Sequence, residues 1–572
     1  MEKVKGKIFD VKLFTKLLVF VKPYNITFYG VLTSAILISL LSTLTPYLLK
    51  VVVDDYLLLK NYDGMQSIIQ IMIAVLFLEV VFMFLFTYYA NWLGQKVIKN
   101  LRVKVFDKIL KFKMSFFDKN AVGRLVTRTV NDIETIASIF SQGLFMIIAD
   151  ILKMVTVLTV MTIINLELTI VVVSIFPILI YATRIFQKSM KVAFESVRKE
   201  VANLNSFVQE RLTGMSVVQL FTREKIEADR FDMINKRHRD ANIRGIWYFS
   251  LFFPIIEMLS AVSIGLAIWY GGLKASAGEN VSIGDLTALI VFINLLYRPL
   301  RQLADRFNTL QMGMVASERV LKLVNNSQQR EITGNYSQER VVGKVDVRGL
   351  SFAYLEKEWI LRDINLKIPE GKTCALVGAT GSGKSTLVHL LLGYYPIEYG
   401  EIKLDGIDLS RWSLKSLRSN VSLVQQDVFL FSDTIKNNIM FGIENDNIDD
   451  QLIINAAKQA QIHKDIMGFP ESYNTKIGER GITLSGGQKQ RISIARALIR
   501  KPDVLILDDC LSAVDTETED KILKNLYRNN KSNITVIIGH RISSVSSANP
   551  IIVLEKGGII ENGNHSDLIK KQ

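Results

Sequence analysis

The chain of 572 residues carries a formal net charge of +14, is 49% hydrophobic and 22% charged, and has a mean hydropathy of +0.24. That hydrophobic content excludes a disordered chain, two cysteines exclude a disulfide scaffold, and 34 Gly with 10 Pro exclude a collagen-like or low-complexity architecture. Positive hydropathy beside this much charge requires that the two be segregated along the chain, and the location of the basic residues decides between nucleic acid, anionic lipid and nucleotide as partner.

The Lys-rich start, Lys3 to Lys22, reads as an amphipathic helix on the cytoplasmic face of a membrane. No small-residue cleavage site follows its apolar part, so it is not read as a signal peptide. Six stretches then follow that are long and apolar enough to cross a bilayer, which takes about 20 residues. They run roughly over Ile26–Leu49, Ile68–Trp92, Gly143–Ile164, Leu168–Phe186, Trp247–Tyr270 and Leu286–Leu303. The third and fourth are separated by a few residues around Asn165 and Glu167, which predicts a tight antiparallel pair. Segments Gln95–Gln142 and Gln187–Arg244 are dense in Lys and Arg, whereas the connections near Asp54–Gln66, Asn165 and Lys274–Asp285 hold few. Cytoplasmic flanks collect positive charge, so both basic segments and both termini are expected inside, in a multi-pass protein of the bacterial inner membrane. Each basic segment has few helix breakers and is expected to prolong its membrane helices and turn at a short tip. The tips are expected near Phe116-Phe117-Asp118 with Gly123, and near Gly214. Within the spans, Asp150 and Lys153 are three apart on one helical face and are expected to neutralise each other. Glu79 and Glu257 are candidates to face a cavity, and Arg298 to snorkel.

Beyond Asn325 the composition changes. The polar stretch Asn325–Gly343 reads as a linker, so the expected organisation is a membrane domain over 1–325, a linker over 326–343 and a second domain over 344–572. In that domain β-branched runs alternate with Gly-rich turns and helical patterns, as in an α/β fold. Gly378-Ala379-Thr380-Gly381-Ser382-Gly383-Lys384-Ser385-Thr386 follows the strand-like run Thr373–Val377 and opens the helix-like run Leu387–Leu392, the context a P-loop requires. Glycines let backbone N–H groups approach phosphates, and the helix N-terminus adds positive potential. Lys384 is placed to bridge β- and γ-phosphates of ATP, and the Ser385 hydroxyl to bind Mg²⁺. The buried-strand run Val504–Leu507 ends in Asp508, placed to reach Mg²⁺ directly or through water, and Asp509, placed to address an attacking water. Between them Leu484-Ser485-Gly486-Gly487-Gln488 precedes a helical run from Lys489 to Ile499, a second Gly-rich turn at a helix start.

A Walker A loop, then Leu-Ser-Gly-Gly-Gln, then Walker B, in that order, resembles the nucleotide-binding domain of ABC ATPases. Six spans in front of one such domain resemble a type IV (B-family) ABC exporter half. The fold class expected is therefore an α-helical membrane domain of six transmembrane helices with long cytoplasmic extensions, fused to an α/β P-loop ABC nucleotide-binding domain. The resemblance implies roles for further residues. Tyr354 matches the adenine-stacking aromatic, and Gln426 the Q-loop, also a Mg²⁺ ligand. Asp515 in Ser512-Ala513-Val514-Asp515 matches the D-loop, and His540 the switch histidine. Phe116-Phe117-Asp118 with Gly123, Arg128 and Asn131-Asp132 resembles the first coupling region, and Gly214–Gln219 the second. Leu484, Ser485, Gly486, Gly487 and Gln488, with Asp515, would complete the ATP site of a second chain, so a dimer is implied, with Lys384, Asp509 and His540 as its catalytic residues.

Three positions depart from the family pattern. Asp509 stands where the family usually has Glu, and its carboxylate is shorter by one methylene. Two readings follow, a homodimer in which Asp509 works, or a heterodimer in which this chain's own Walker site is slow and its signature serves a Glu-bearing partner. Lys476, in the X-loop-like Thr475–Gly481, replaces a usual acid, and Cys510 a usual alanine, read as a small buried residue. The function expected is ATP-driven export or flipping of small amphipathic drugs or lipids by alternating access. The alternatives are a hydrolytically weak regulatory subunit, a peptide exporter and an ATP-gated regulator. The membrane spans exclude a soluble ATPase acting on nucleic acid, and the fused domain order disfavours an importer. The basic charge is then assigned to membrane orientation and anionic lipid rather than to nucleic acid.

Overall fold

Backbone N–H and C=O groups in a bilayer core must be satisfied within the segment, which leaves a helix as the form open to an isolated apolar run of about 20 residues. The computed structural model describes residues 11–279, 281–327, 334–355, 358–443, 449–478, 484–529 and 534–570. Six helical runs in it are long and apolar enough to cross a membrane: Lys22–Leu57, Tyr62–Leu110, Val122–Ile164, Leu166–Thr213, Glu224–Ser276 and Ile283–Leu300. Each overlaps one apolar stretch of the sequence. Several far exceed what a bilayer needs: Tyr62–Leu110 has 49 residues and Glu224–Ser276 has 53, at about 1.5 Å each. On Tyr62–Leu110, Ile73, Phe77, Val80 and Phe84 recur on one face and are 62–67% exposed, an apolar stripe that the rest of the described chain does not cover.

Two compact units divide the chain. One comprises the residues before 111 together with Val122–Asn326, and the other Lys111–Ala121 together with the residues from Ser327 onward. In the first, Asn25–Val51 packs on Tyr62–Leu110 and Phe145–Ile164, while Phe176–Thr213 packs on Glu224–Ser276. Asn165 makes the tight turn between the third and fourth spans. Its backbone is extended, and its side chain caps the next helix by accepting from the Leu168 N–H at 3.0 Å. Gly313 permits another close approach, since a Cβ there would lie 2.1 Å from Ile139 Cγ1. At the end poor in basic residues, Lys50 pairs with Asp285 at 2.7 Å, and Asp54 accepts from Ser282 Oγ at 2.5 Å and Gly284 N at 2.8 Å.

The expected Asp150–Lys153 pair does not form. Asp150 bonds Arg306, 156 positions away, which also donates to the Met146 carbonyl at 3.1 Å. Sequence spacing identifies neighbours along one helix and not the partner that a second helix brings. Both tips turn as expected. Met114–Lys119 is one short helix, and Gly214 ends Phe176–Thr213 before the short helix Met215–Leu220. The N-terminal helix is described from Val11 to Leu18, and Lys3–Asp10 lie outside the described residues.

Among the described residues of the second unit, ten strands form two sheets. They are β1 (Val345–Ala353), β2 (Trp359–Ile368), β3 (Thr373–Gly378), β4 (Tyr399–Leu404), β5 (Ile407–Asp408), β6 (Val421–Val424), β7 (Val504–Asp508), β8 (Ile534–Ile538), β9 (Ile551–Glu555) and β10 (Gly558–Gly563). An antiparallel sheet has the order β2-β1-β4-β5, and a larger one the order β10-β9-β3-β8-β7-β6, in which β9 through β6 run parallel. β7 and β8 are buried along their whole length, as strands covered on both faces must be. The segment expected as a linker is laid down on this unit where it is described. Gly334 and Tyr336 donate to the Ser410 and Arg411 carbonyls at 2.9 Å each, and Asp503 accepts from Arg340 and from the Val341 N–H, both at 2.9 Å.

One charge is buried beside the loop that follows β8. Glu519 is 1% exposed and accepts from Ser544 Oγ and, at 2.9 Å, from Arg541, whose guanidinium also donates to the Val514 and Ser512 carbonyls. Removing the carboxylate strands a guanidinium in this corner. Glu519→Ala should therefore destabilise this unit by about 2–3 kcal/mol, toward the low end for a buried pair because Arg541 is partly exposed. It should be read as a lowered thermal midpoint against Lys521→Ala, an exposed i,i+4 partner expected to change little.

Candidate functional site

Ligands of open α/β sheets bind beyond the carboxyl ends of the strands. Here four neighbouring parallel strands end in residues of the candidate site. β3 leads into Gly378–Thr386, β8 into Gly539-His540, β7 into Asp508-Asp509 and β6 into Gln425-Gln426. Neighbouring strands are about 4.8 Å apart, so four sequence segments separated by up to 160 residues are brought to one edge.

The loop after β3 is set by its glycines. Gly378 has φ 148°, and a Cβ on it would lie 2.2 Å from the Leu554 carbonyl; Gly383 has φ 103°, and a Cβ there would lie 2.6 Å from Leu361 Cδ2. Lys384, buried at the first position of the helix Lys384–Leu391, turns back over the loop. Its Nζ donates to the Gly378 carbonyl at 2.8 Å and the Ala379 carbonyl at 2.9 Å, and lies 3.4 Å from Ser382 Oγ. Burial lowers the Lys384 pKa, and the Asp508 and Asp509 charges oppose that. Asp508 is 7% exposed. Burial raises its pKa, while the Ser385 hydroxyl, which bonds it, pulls the other way. These two oxygens are hard donors side by side and fit a Mg²⁺ ion that keeps most of its other ligands from phosphate and water. Among the described residues no cluster of three or more His, Cys, Asp or Glu side chains forms a separate metal cage.

Asp509 holds φ 44°, a left-handed backbone that Asp tolerates better than most residues, and its N–H is bound to the Ile538 carbonyl at 2.8 Å. Gln426 Nε2 lies 3.5 Å from Asp509 Oδ2. His540 is exposed at the end of β8, with Arg541 behind it anchored as above. Tyr354 is 41% exposed and donates to Thr386 Oγ1 at 3.3 Å.

The signature segment stands elsewhere. Ser485 caps the helix Gly486–Leu498 in a capping box with Gln488. A Cβ on Gly487 would meet the Ala513 carbonyl at 2.8 Å, and Gln490 Oε1 accepts from the Ala513 N–H at 2.9 Å. The helix that Leu484–Gln488 opens is thus tied through Gln490 to Ser512 and Ala513, and no hydrogen bond joins Leu484–Gln488 to Gly378–Thr386 among the described residues. Asp515 caps its own helix through the Thr518 N–H at 2.8 Å, a bond that lowers its pKa. Lys476 lies in the short bridge with Thr434, whereas Glu479–Thr483 lie outside the described residues. Cys510 is 1% exposed and its thiol is pushed up by burial; Cys374 is pushed up to about 12 for the same reason, and both are free.

One contact is absent from the motifs. Tyr395 packs edge-on against Tyr354 at 5.1 Å and donates from its hydroxyl to Asp118 Oδ2 at 2.6 Å. The aromatic beside the P-loop helix is therefore one ring away from the short helix Met114–Lys119, which belongs to the same unit. Its sequence signal is the tandem Tyr394-Tyr395 after Gly393, which carries no motif. The region around Phe116–Asp132 divides, since Asp132 is buried in the membrane unit and pairs with Arg319 at 3.4 Å.

Comparison with known proteins agrees with this geometry. Residues 28–300 match the family model of the ABC transporter transmembrane region, and residues 361–512 match that of the ABC transporter. The chain is 33% identical over 96% of its length to a Bacillus subtilis (strain 168) ATP-binding/permease protein whose multidrug-export role is itself provisional, covering 96% of that protein. It is 32% identical over 98% of its length to an ATP-dependent lipid A-core flippase of Haemophilus influenzae (strain 86-028NP), covering 95% of it. A bacterial Atm1-family ABC exporter with ATP bound superposes with a TM-score of 0.79 at 25% identity, with 96% of both chains covered. A membrane unit of six spans, joined to an ATPase unit whose P-loop and Walker B residues stand at the strand ends of one parallel sheet, makes this chain a member of the ABC transporter family, an integral membrane ABC exporter whose ATPase couples ATP hydrolysis to transport.

Proposed function

We propose that the chain is one half of a type IV (B-family) exporter that moves small amphipathic drugs or lipids across the bacterial inner membrane by alternating access. Its ATPase unit and both termini lie in the cytoplasm. The observation that carries the reading is the convergence of Lys384, Asp508, Asp509, Gln426 and His540 at four adjacent strand ends in a chain with six membrane-length helices. A half-transporter implies a second half, and the signature supports this from within. The helix that Leu484–Gln488 opens is held by Ser512 and Ala513 through Gln490, and the turn would face the nucleotide of a partner, with Ser485 and Gly487 on its γ-phosphate.

ATP would stack its base on Tyr354 and lay its phosphates along Gly378–Thr386. Lys384 would exchange the Gly378 and Ala379 carbonyls for β- and γ-phosphate oxygens, a stronger, charge-assisted pairing. Ser385 and Asp508, with Gln426, would hold Mg²⁺, which when bound neutralises charge on the phosphates. Asp509 would orient water for in-line attack, and His540 would stabilise the charge developing on the γ-phosphate, so catalysis here is positioning and electrostatics. Closing two such units on ATP would switch the membrane halves from inward- to outward-open. The Tyr354–Tyr395–Asp118 contact would pass that closure to the short helix Met114–Lys119.

Asp509 favours a second reading. Its carboxylate falls about 1–1.5 Å short of a glutamate's, and a misplacement of about 1 Å costs on the order of 10²-fold in rate. An asymmetric heterodimer would then rely on the partner's Walker site completed by this chain's Leu484–Gln488.

Purified alone and reconstituted, the chain should hydrolyse ATP, and Asp509→Asn should lower the rate by roughly 10²-fold while leaving nucleotide binding in place. Slow turnover that Asp509→Glu raises would select the heterodimer, whereas fast turnover untouched by Asp509→Asn would remove Asp509 from the mechanism. Lys384→Ala should weaken ATP binding by at least about tenfold in equilibrium dialysis, the scale of one charge-assisted contact of about 1.5–3 kcal/mol.

A further inference from the structure

Ser485 is exposed in the signature turn, and its place is set by the residue three further on. Gln488 donates its backbone N–H to Ser485 Oγ at 3.3 Å, and its side-chain Oε1 accepts from the Ser485 N–H at 3.0 Å. Oγ is therefore used as an acceptor, and among the described residues nothing takes its hydrogen, which is left to donate outward. The second bond depends on which way the Gln488 amide is turned. The last torsion of a glutamine is broad and roughly two-fold, so the side chain by itself does not favour oxygen over nitrogen at Ser485.

Asp465 settles that direction. It stands 23 positions earlier, on the short helix His463–Met467, and its Oδ1 accepts from Gln488 Nε2 at 3.3 Å. A carboxylate has no hydrogen to give, so it is met by the amide nitrogen, and the amide oxygen is turned to Ser485. The negative charge also polarises the amide and strengthens the bond that its oxygen accepts.

The carboxylate is itself fixed. Arg491, one turn beyond Gln488 on the same helix, grips it with two bonds, Nη1 to Oδ2 at 2.9 Å and Nη2 to Oδ1 at 3.2 Å. Nη1 also donates to the Gln461 carbonyl at 2.6 Å, and Nε to the Gly487 carbonyl at 3.4 Å. Beneath Asp465, Ile462 and Ile466 are fully buried in the core that holds Leu484 and Ile492, and His463 Nδ1 meets the Tyr473 hydroxyl at 2.8 Å. Arg491 keeps two carbonyl partners without Asp465, whereas Gln488 Nε2 has no other partner among the described residues. The Arg491 and Asp465 side chains are 15% and 29% exposed, and a pair that meets water adds little stability of its own. What Asp465 alone supplies is the direction of the Gln488 amide.

We propose that Asp465 is a positioning residue for ATP hydrolysis. Through Gln488 it sets the Ser485 end of the signature turn, the end that meets the γ-phosphate on the partner chain. The inference rests on the reading of the signature given above and deepens it. It holds for a homodimer and a heterodimer alike, since in both this chain's signature serves the other chain's nucleotide.

The test is ATP turnover by the transporter as purified from its own membrane, with ADP binding measured beside it, because ADP lacks the phosphate that the signature addresses. Asp465→Ala should lower turnover at saturating ATP about tenfold, the scale of one charge-assisted bond, and should leave ADP binding within about twofold. Asp465→Asn keeps an oxygen for Gln488 without the charge, and should stay within about threefold of the native rate. Gln488→Ala leaves the Arg491 pair in place and should lower turnover as far as Asp465→Ala does. The two changes together should cost no more than either alone, because one acts through the other. An Asp465→Asn rate as low as that of Asp465→Ala would overturn the proposal by assigning the effect to the ion pair. So would additive losses in the double variant, or ADP binding that falls with turnover, both of which mark a merely structural role. Ser485→Ala separates the proposal from the reading beneath it. Native turnover in Ser485→Ala would overturn the reading of the signature and the proposal with it. A low rate there beside a native rate in Asp465→Ala would overturn the proposal alone.

Discussion

The ATPase unit is organised around one ammonium group. Nζ of Lys384 is drawn out of water into a loop too tight for side chains at Gly378 and Gly383, and there it is held by two carbonyls and faced by Asp508 and Asp509. A buried cation in neutral company is costly, so it must be paired or await an anion. The strand order follows the same requirement. β3 delivers the cation, and β7, its neighbour but one, delivers the carboxylates through a buried β-branched and leucine-rich strand that has no other way to be satisfied than in the middle of a parallel sheet. Lys384 thus places a cation in the loop, and the sheet brings the Asp508 and Asp509 carboxylates to face it.

Half of the chemistry lies off that edge. The helix that the signature turn opens is bound to the D-loop segment by Gln490, and Gly487 approaches Ala513 closely. A half-transporter so built offers one nucleotide loop and one signature, and pairing two of them would give each loop a signature. Tyr395 touches both Tyr354, through its ring, and Asp118, through its hydroxyl. The membrane unit has its own polar ties. Asp150–Arg306 ties Phe145–Ile164 to the helix Ile283–Val324, and Lys50–Asp285 with Asp54–Ser282 ties the first span to the start of that same helix, at the end poor in basic residues.

What could be read from the sequence follows the range of each interaction. The six spans were legible because lipid imposes one length and one composition on any crossing helix. The P-loop and Walker B were legible because phosphate chemistry imposes local spacing, and strand β7 because burial on both faces leaves a continuous apolar run. Asn165 and Gly214 were legible as turns because their effect is on their own backbone. Pairings between elements were not. Asp150 has a near neighbour in Lys153 and a true partner 156 positions away. Tyr395 carries no motif, since its role comes from a fold that sets Tyr354 on one side of it and Asp118 on the other. The polar stretch before Gly343 has a linker's composition, but its backbone groups find partners at Ser410, Arg411 and Asp405 that only the folded unit supplies.

We propose that ATP binding and hydrolysis at the β3–β7 edge move an amphiphile across the membrane. It is tested most directly in sealed proteoliposomes that hold the transporter, as purified from its own membrane, with the ATPase unit outward. A fluorescent amphiphile should pass to the protected leaflet or lumen when ATP and Mg²⁺ are added, and should stay accessible when Lys384→Ala replaces the native chain. Movement that proceeds equally without ATP, or ATP turnover that opens a passive leak and concentrates nothing, would contradict the account.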